Sequence, residues 1–199
     1  RGGISTHSSL ILNELLKKYD VQVINFKKLY PKIFFPGKSQ YDDIKNSIGK
    51  RILDSTDILS WKKTLTQINK FTPDLVLVKF WHPFFIPCYH YIIKRLKKKH
   101  NCKIIMIFDN IFPHESFPFS KILLKKMLIN IDAFIVQSSK VEKELNSLII
   151  KPIYEKVFHP VYDNYPNISD QFISREKLSI EESNVVLFFG LIRDYKGLD

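Results

Sequence analysis

The stretch Lys103-Ile104-Ile105-Met106-Ile107-Phe108, followed at once by Asp109-Asn110-Ile111-Phe112-Pro113-His114-Glu115, decides how the chain is read. Five apolar residues in succession, several of them β-branched, predict a strand buried on both faces. The polar group after Phe108 then stands at the carboxyl end of that strand, where open α/β sheets bind their ligands. Asp109, Asn110, His114 and Glu115 bring two carboxylates, an amide and an imidazole into one short loop, and Pro113 lowers the entropy lost in ordering it. A plain turn would use Asp109 and Asn110 but has no need of His114 and Glu115. The loop therefore reads as one that takes or holds protons.

Outward from this stretch, strands alternate with amphipathic helices. Residues 74–80 form a second buried strand ending in Trp81-His82-Pro83, which makes His82 a candidate wall of the same cleft, with a purely structural imidazole as the alternative. Pro87 suits the first turn of a helix with Tyr89, Ile92, Ile93 and Leu96 inward. Downstream, Leu124, Met127, Leu128 and Ile131 mark another helix, and residues 132–137 a third strand. Ser139 and Glu142 match the reciprocal capping pattern of a helix with Val141, Leu145 and Leu148 inward, so these serines need no catalytic role. Residues 156–158 read as a short strand before His159-Pro160.

Upstream, Ile58, Trp61, Leu65 and Ile68 predict a helix ending before Pro73, and residues 20–26 a strand. Between them, residues 27–56 read as a long, aromatic, proline-stiffened loop whose rings and lysines could stack sugars, touch a membrane or cover a sheet edge. At the start, Gly2 and Gly3 lead into a helix over residues 8–19. Glycines let a backbone approach a ligand closely, and the free amides of a helix start suit a phosphate or a sugar hydroxyl.

Residues 162–183 turn polar, and residues 185–189 start a new strand before Gly190-Leu191-Ile192-Arg193-Asp194-Tyr195-Lys196-Gly197. A glycine turn bearing Arg193 and Lys196 is a sensible diphosphate cradle. The expected fold is α/β, a Rossmann-like, doubly wound parallel sheet. The expected organisation is a first domain over residues 1–165 that lacks its first strand, a linker over 166–184 and the opening of a second domain over 185–199. A start at Arg1 and a stop just after a motif read as a fragment.

With 31 Lys and Arg against 20 Asp and Glu, the formal charge of +11 suggests an anionic partner. A membrane surface, a polyphosphate substrate and nucleic acid all qualify. The abundance of Lys, Ile, Asn, Phe and Tyr offers a compositional explanation instead, as in proteins of AT-rich genomes. The densest basic cluster is Lys94, Arg95, Lys97, Lys98 and Lys99, either a solvated helix end or a contact with anionic lipid. No recognition helix, zinc pattern or RNA-binding aromatic signature speaks for nucleic acid. Cys88 and Cys102 form no Cys-x-x-Cys pair, which fits inert thiols in a reducing cytosol. No apolar run approaches the roughly 20 residues of a membrane span.

Gly2-Gly3-Ile4-Ser5, the loop from Asp109 to Glu115, His159-Pro160, and Phe188-Phe189-Gly190 through Lys196-Gly197-Leu198-Asp199 stand in the order found in family 4 glycosyltransferases. The chain resembles the first half of these two-domain GT-B enzymes. Tyr30-Pro31, Phe35-Pro36-Gly37, Trp61 and Trp81-His82-Pro83 also look like one bacterial branch of the family. The resemblance implies transfer of a sugar from a nucleotide-sugar donor, with retention and without an obligatory metal or other cofactor, to a glycan or glycolipid acceptor. It implies catalytic roles for Asp109, His114 and Glu115, with Asp109 standing where many relatives have histidine. Gly2, Gly3, Arg193 and Lys196 would hold the donor sugar and its phosphates, and Trp81, His82 and Asn110 are acceptor-binding candidates. The setting it implies is the cytoplasm, at the inner face of the cell membrane, in surface polysaccharide or glycolipid synthesis. The rival readings are a nucleotide-sugar epimerase of related fold and a non-catalytic basic module for anionic membranes.

Overall fold

The computed structural model describes residues 3–31, 49–99, 101–112, 120–162, 169–188 and 197. The chain divides into two compact units, Arg1–Phe158 and His159–Asp199. In the first unit the order is α1 (Gly3–Leu16), β1 (Ile24–Lys28), β2 (Lys50–Asp54), α2 (Ile58–Phe71), β3 (Leu75–Phe80), a 3-10 turn (Pro83–Phe85), α3 (Ile86–Lys99), β4 (Lys103–Phe108), α4 (Ser120–Leu128), β5 (Ala133–Val136), α5 (Ser139–Leu148) and β6 (Tyr154–Lys156). All paired strands are parallel, in two sheets of order β1-β2 and β3-β4-β5-β6. The result is an alternating α/β fold of Rossmann-like type.

The apolar run Lys103–Phe108 is β4, with β3 on one side and β5 on the other. Ile104, Met106, Ile107 and Phe108 are buried, so the strand carries apolar groups on both faces. Phe108 stacks on Phe134 of β5 and meets Phe80 of β3 edge-on. One face of the sheet joins the inward residues of α3, α4 and α5 in a single core, including Leu96, Leu124 and Leu145. The spacing of Tyr89, Ile92, Ile93 and Leu96, and of Leu124, Met127 and Leu128, places each set on its helix's buried stripe, whereas Ile131, expected on the second stripe, lies beyond the end of α4. On the opposite face, Leu75 and Leu77 of β3 are exposed. Among the described residues β3 pairs with no strand on its outer side.

Several elements differ from the sequence reading. The stretch read as one long loop contains β2, entered through Gly49 at φ 93°, where an added Cβ would stand 2.6 Å from Val23. The strand expected from residue 20 begins at Ile24. The first helix starts at Gly3 rather than Ser8. It buries His7 and Leu12 and ends at Leu16, which is exposed, as is Tyr19 beyond it. The cap of α5 is Ser138, whose Oγ accepts the Val141 N–H at 3.2 Å. Glu142 does not reach back to complete a capping box, because its carboxylate takes hydrogen bonds from Lys156 at 2.7 Å and Tyr154 at 2.9 Å.

Two fastenings hold helices to strand ends. Trp61 Nε1 on α2 donates to the Asp54 carbonyl at 2.7 Å. Asp132 accepts from Lys97 of α3 at 2.9 Å and from the Ile104 N–H of β4 at 2.7 Å. In the second unit, α6 (Gln171–Leu178) is capped by Asp170 and ends at Ser179 in the left-handed region. The expected strand over 185–189 does not form in its described part. Val185, Val186 and Leu187 are exposed and pair with no neighbour among the described residues, and a strand exists only through its ladder.

Candidate functional site

Parallel strands in register finish at one level, here Phe80, Phe108 and Val136. The residues around that level meet above the sheet. Lys79 is the penultimate residue of β3, Asp109 follows β4 with its N–H still donating to the Phe80 carbonyl at 3.0 Å, and Gln137 follows β5. With His7 of α1 they form one polar cluster. Lys79 Nζ donates to Asp109 Oδ1 at 2.8 Å and lies 2.6 Å from His7 Nδ1. His7 Nδ1 stands 3.9 Å from Asp109 Oδ1, and the Gln137 amide nitrogen is 3.3 Å from His7 Nε2. The side chains of Lys79 and Asp109 are each only 13% exposed, and His7 is 4% exposed.

The chemistry of the cluster follows from its donors. A buried ammonium or carboxylate is tolerated only with a partner, and Lys79 and Asp109 supply each other with one. An ammonium has hydrogens and no lone pair, so its approach to Nδ1 makes that nitrogen the acceptor. His7 is thereby the neutral tautomer with its proton on Nε2. The Gln137 amide then presents nitrogen to a ring N–H. A half-turn of the amide exchanges nitrogen for oxygen and lets Oε1 accept that proton. Asp109 Oδ2 has no such remedy, being buried and without a partner among the described residues. A carboxylate anchored through one oxygen with the other unmatched can orient a hydroxyl or accept its proton.

The shell behind Lys79 is packed and hydrogen-bonded. Tyr89 O–H of α3 donates to the Lys79 carbonyl at 3.1 Å, and burial holds the Tyr89 phenol well above its ordinary range, so it stays a donor. Phe26, Tyr30, Trp81 and Phe85 pack into an aromatic nest in which Trp81 and Phe85 centroids lie 4.6 Å apart. Trp81 Nε1 donates to the Tyr30 hydroxyl at 3.2 Å. His82 Nδ1 accepts the Phe84 N–H at 3.1 Å, capping the 3-10 turn. Both side chains thus have local structural partners at the end of β3.

Of the residues singled out in the sequence, Asp109 turns inward to Lys79, whereas Asn110 is exposed; Ile111, next in the chain, is buried. Gly3 is the first residue of α1, and a Cβ added there meets nothing within 4 Å among the described residues, so their packing does not itself require glycine. Gly2, His114, Glu115, Arg193 and Lys196 lie outside the described residues. Sequence reasoning missed Lys79, Gln137 and His7 as members of the site. Lys79 was legible in principle, since a lysine inside the apolar run Leu75–Phe80 must find a counter-charge. His7 and Gln137 are 130 residues apart and meet only through the sheet.

A cavity of about 430 Å³ lies elsewhere, lined by Lys50, Ile52, Lys62, Lys63, Thr66 and Gln67. No three His, Cys, Asp or Glu side chains are grouped to hold a metal among the described residues. No family model, curated protein or solved structure matches the chain.

Proposed function

We propose that the protein is a retaining glycosyltransferase of GT-B type, moving a sugar from a nucleotide-sugar donor to a glycan or glycolipid acceptor. The observation that carries this reading is the Lys79–Asp109–His7 cluster at the carboxyl ends of parallel strands, the ligand-binding end of an open α/β sheet. Asp109, anchored through Oδ1, offers Oδ2 to a hydroxyl of the sugar or the acceptor. Lys79 keeps that carboxylate in place, and Tyr89 keeps Lys79 in place. Among the described residues none stands within 4 Å of a Cβ built on Gly3, which is compatible with a sugar or phosphate approaching the start of α1.

Departure of a nucleoside diphosphate builds negative charge on its phosphates, and Arg193 and Lys196 are the cations this reading assigns to that charge. His114 and Glu115 are assigned to the catalytic loop beside Asp109. Such an enzyme would work at the inner face of the cell membrane in surface polysaccharide or glycolipid synthesis.

The fragment alone is expected to be inactive, so the test is thermal-shift screening of the full-length protein, with its whole second domain, against UDP, GDP and ADP sugars, each beside its free nucleotide. A selective rise with one nucleotide supports the donor site and names its base. Asp109→Asn should then lower turnover about 100-fold or more, the scale of a lost proton acceptor, with donor affinity unchanged. No shift with any nucleotide and no sugar transfer would overturn the proposal.

A further inference from the structure

Charge is segregated among the helices. α2 carries three lysines, α3 five Lys or Arg and α4 three lysines, and none of the three contains Asp or Glu. By contrast, α5 mixes Lys140, Glu142, Lys143 and Glu144, and α6 mixes Arg175, Glu176 and Lys177. A compositional excess of lysine raises lysine everywhere but does not remove acids from particular helices. The three acid-free helices are also neighbours, since α3 packs against both α2 and α4. Burial and then the charges of Lys94 of α3 and Lys126 of α4 hold the His90 imidazole below its ordinary range, so cations of adjacent helices act on the same side chain.

Apolar groups break through the basic face. α4 turns Ser120, Leu124, Met127 and Leu128 to the core. At 100° per residue, Ile122 and Ile129 fall on the opposite side, flanked by Lys125 and Lys126. Ile122 is 58% exposed, Leu123 40% and Ile129 82%. Ile58 and Leu59 are likewise exposed in the first turn of α2. Because α2 and α4 each precede a parallel strand, their first turns stand at the same end of the sheet as the Lys79–Asp109 cluster. Among the described residues no helix is long and apolar enough to cross a membrane.

We propose that the outer surface of the α2–α3–α4 row docks on an anionic lipid bilayer. Its lysines meet the phosphates, and Ile122, Leu123 and Ile129 enter the boundary between headgroups and acyl chains. Nucleic acid would use the cations but gives no place to three exposed aliphatic side chains. Bases of a single strand need open aromatic faces, and the Tyr91 ring on this surface is covered by Arg95 at 3.5 Å.

The experiment is co-sedimentation of the protein with vesicles of phosphatidylcholine alone and of phosphatidylcholine mixed with phosphatidylglycerol, beside duplex DNA at the same salt. Binding to the mixed vesicles, weakened by salt, is expected. Each cation at an anionic surface contributes about fivefold in partitioning, so Lys125→Glu/Lys126→Glu should lower it about 30-fold or more. Ile122→Ser/Ile129→Ser should weaken binding while leaving its salt dependence unchanged. If the charge-reversed variant melts early, Lys94→Glu/Lys98→Glu on α3 carries the same expectation. No binding to the mixed vesicles, equal binding to neutral vesicles, tighter binding to duplex DNA, or undiminished binding by a folded charge-reversed variant would overturn the proposal. These readouts do not depend on sugar transfer.

Discussion

Lys79→Met removes the ammonium from the site while nearly keeping the length and volume of the side chain. At the observed 2.8 Å, the direct attraction between Lys79 and Asp109 is about 6 kcal/mol at an effective dielectric of about 20. Most of that is offset by the desolvation both groups have already undergone. What the substitution exposes is the cost of leaving Asp109 inside without a counter-charge, about 3 kcal/mol, toward the lower end for buried pairs because both side chains retain 13% exposure. Lys79→Met/Asp109→Leu leaves neither charge behind and should cost no more than about 1 kcal/mol. The coupling between the two positions should therefore exceed about 2 kcal/mol. Urea denaturation at neutral pH reads this directly. With a slope of about 2 kcal/mol per molar, Lys79→Met should lower the midpoint by about 1.5 M and the double variant by far less. A single-variant shift below about 0.5 M, or a double variant equal to the sum of the singles, would refute the view of the cluster as a mutually dependent buried pair.

Cys88 is buried with Sγ donating to the Phe85 carbonyl at 3.1 Å, and burial pushes its thiol up to about 12; burial also raises Cys102. Neither should react with a disulfide reagent at mildly alkaline pH until urea unfolds the protein, and a fast-reacting thiol in the folded state would contradict this. Ser138→Ala should cost about 1 kcal/mol as the loss of a helix cap, and Ser139→Ala only a few tenths. The reverse ranking in thermal melts would reassign the cap. Hydrogen bonds from Lys156 and then Tyr154 hold Glu142 below the usual carboxylate range. A depressed folded value adds stability above the unfolded value, and that stability is lost as pH falls through the folded one. Glu142→Gln should therefore melt below the parent protein at neutral pH, with the gap closing as the solution is acidified past the carboxylate range; a constant gap would exclude the linkage.

The sequence made some of this fold plain and hid the rest for identifiable reasons. β4 declares itself because both its faces are covered, which demands an unbroken apolar run. β2, Lys50-Arg51-Ile52-Leu53-Asp54, pairs only with β1 among the described residues and shows water two cations, so no hydrophobic period announces it. Gly49 was its one local signal. At the site, Asp109 was visible as the first polar residue past a buried strand, but its inward turn toward Lys79 depends on the register of β3 against β4. The capping pattern pointed to Ser139 with Glu142, but Ser138 caps the helix and Glu142 is left available to β6. Local pattern thus located the ends of β3 and β4, and only pairing between strands decided which side chains meet there.

The outer edge of β3 bears on how the protein behaves in a tube. A parallel strand with exposed Leu75 and Leu77 and no pairing partner on one side among the described residues is a template for another extended chain. Copies of a chain carrying +11 repel one another, and that repulsion acts as the gatekeeper of the edge. Its range shrinks from about 30 Å at 0.01 M salt to about 8 Å at 0.15 M. Concentrated stocks should accordingly stay clear in dilute buffer and turn turbid as salt is added, with colloidal lifetime set by electrostatics rather than by the stability of the fold.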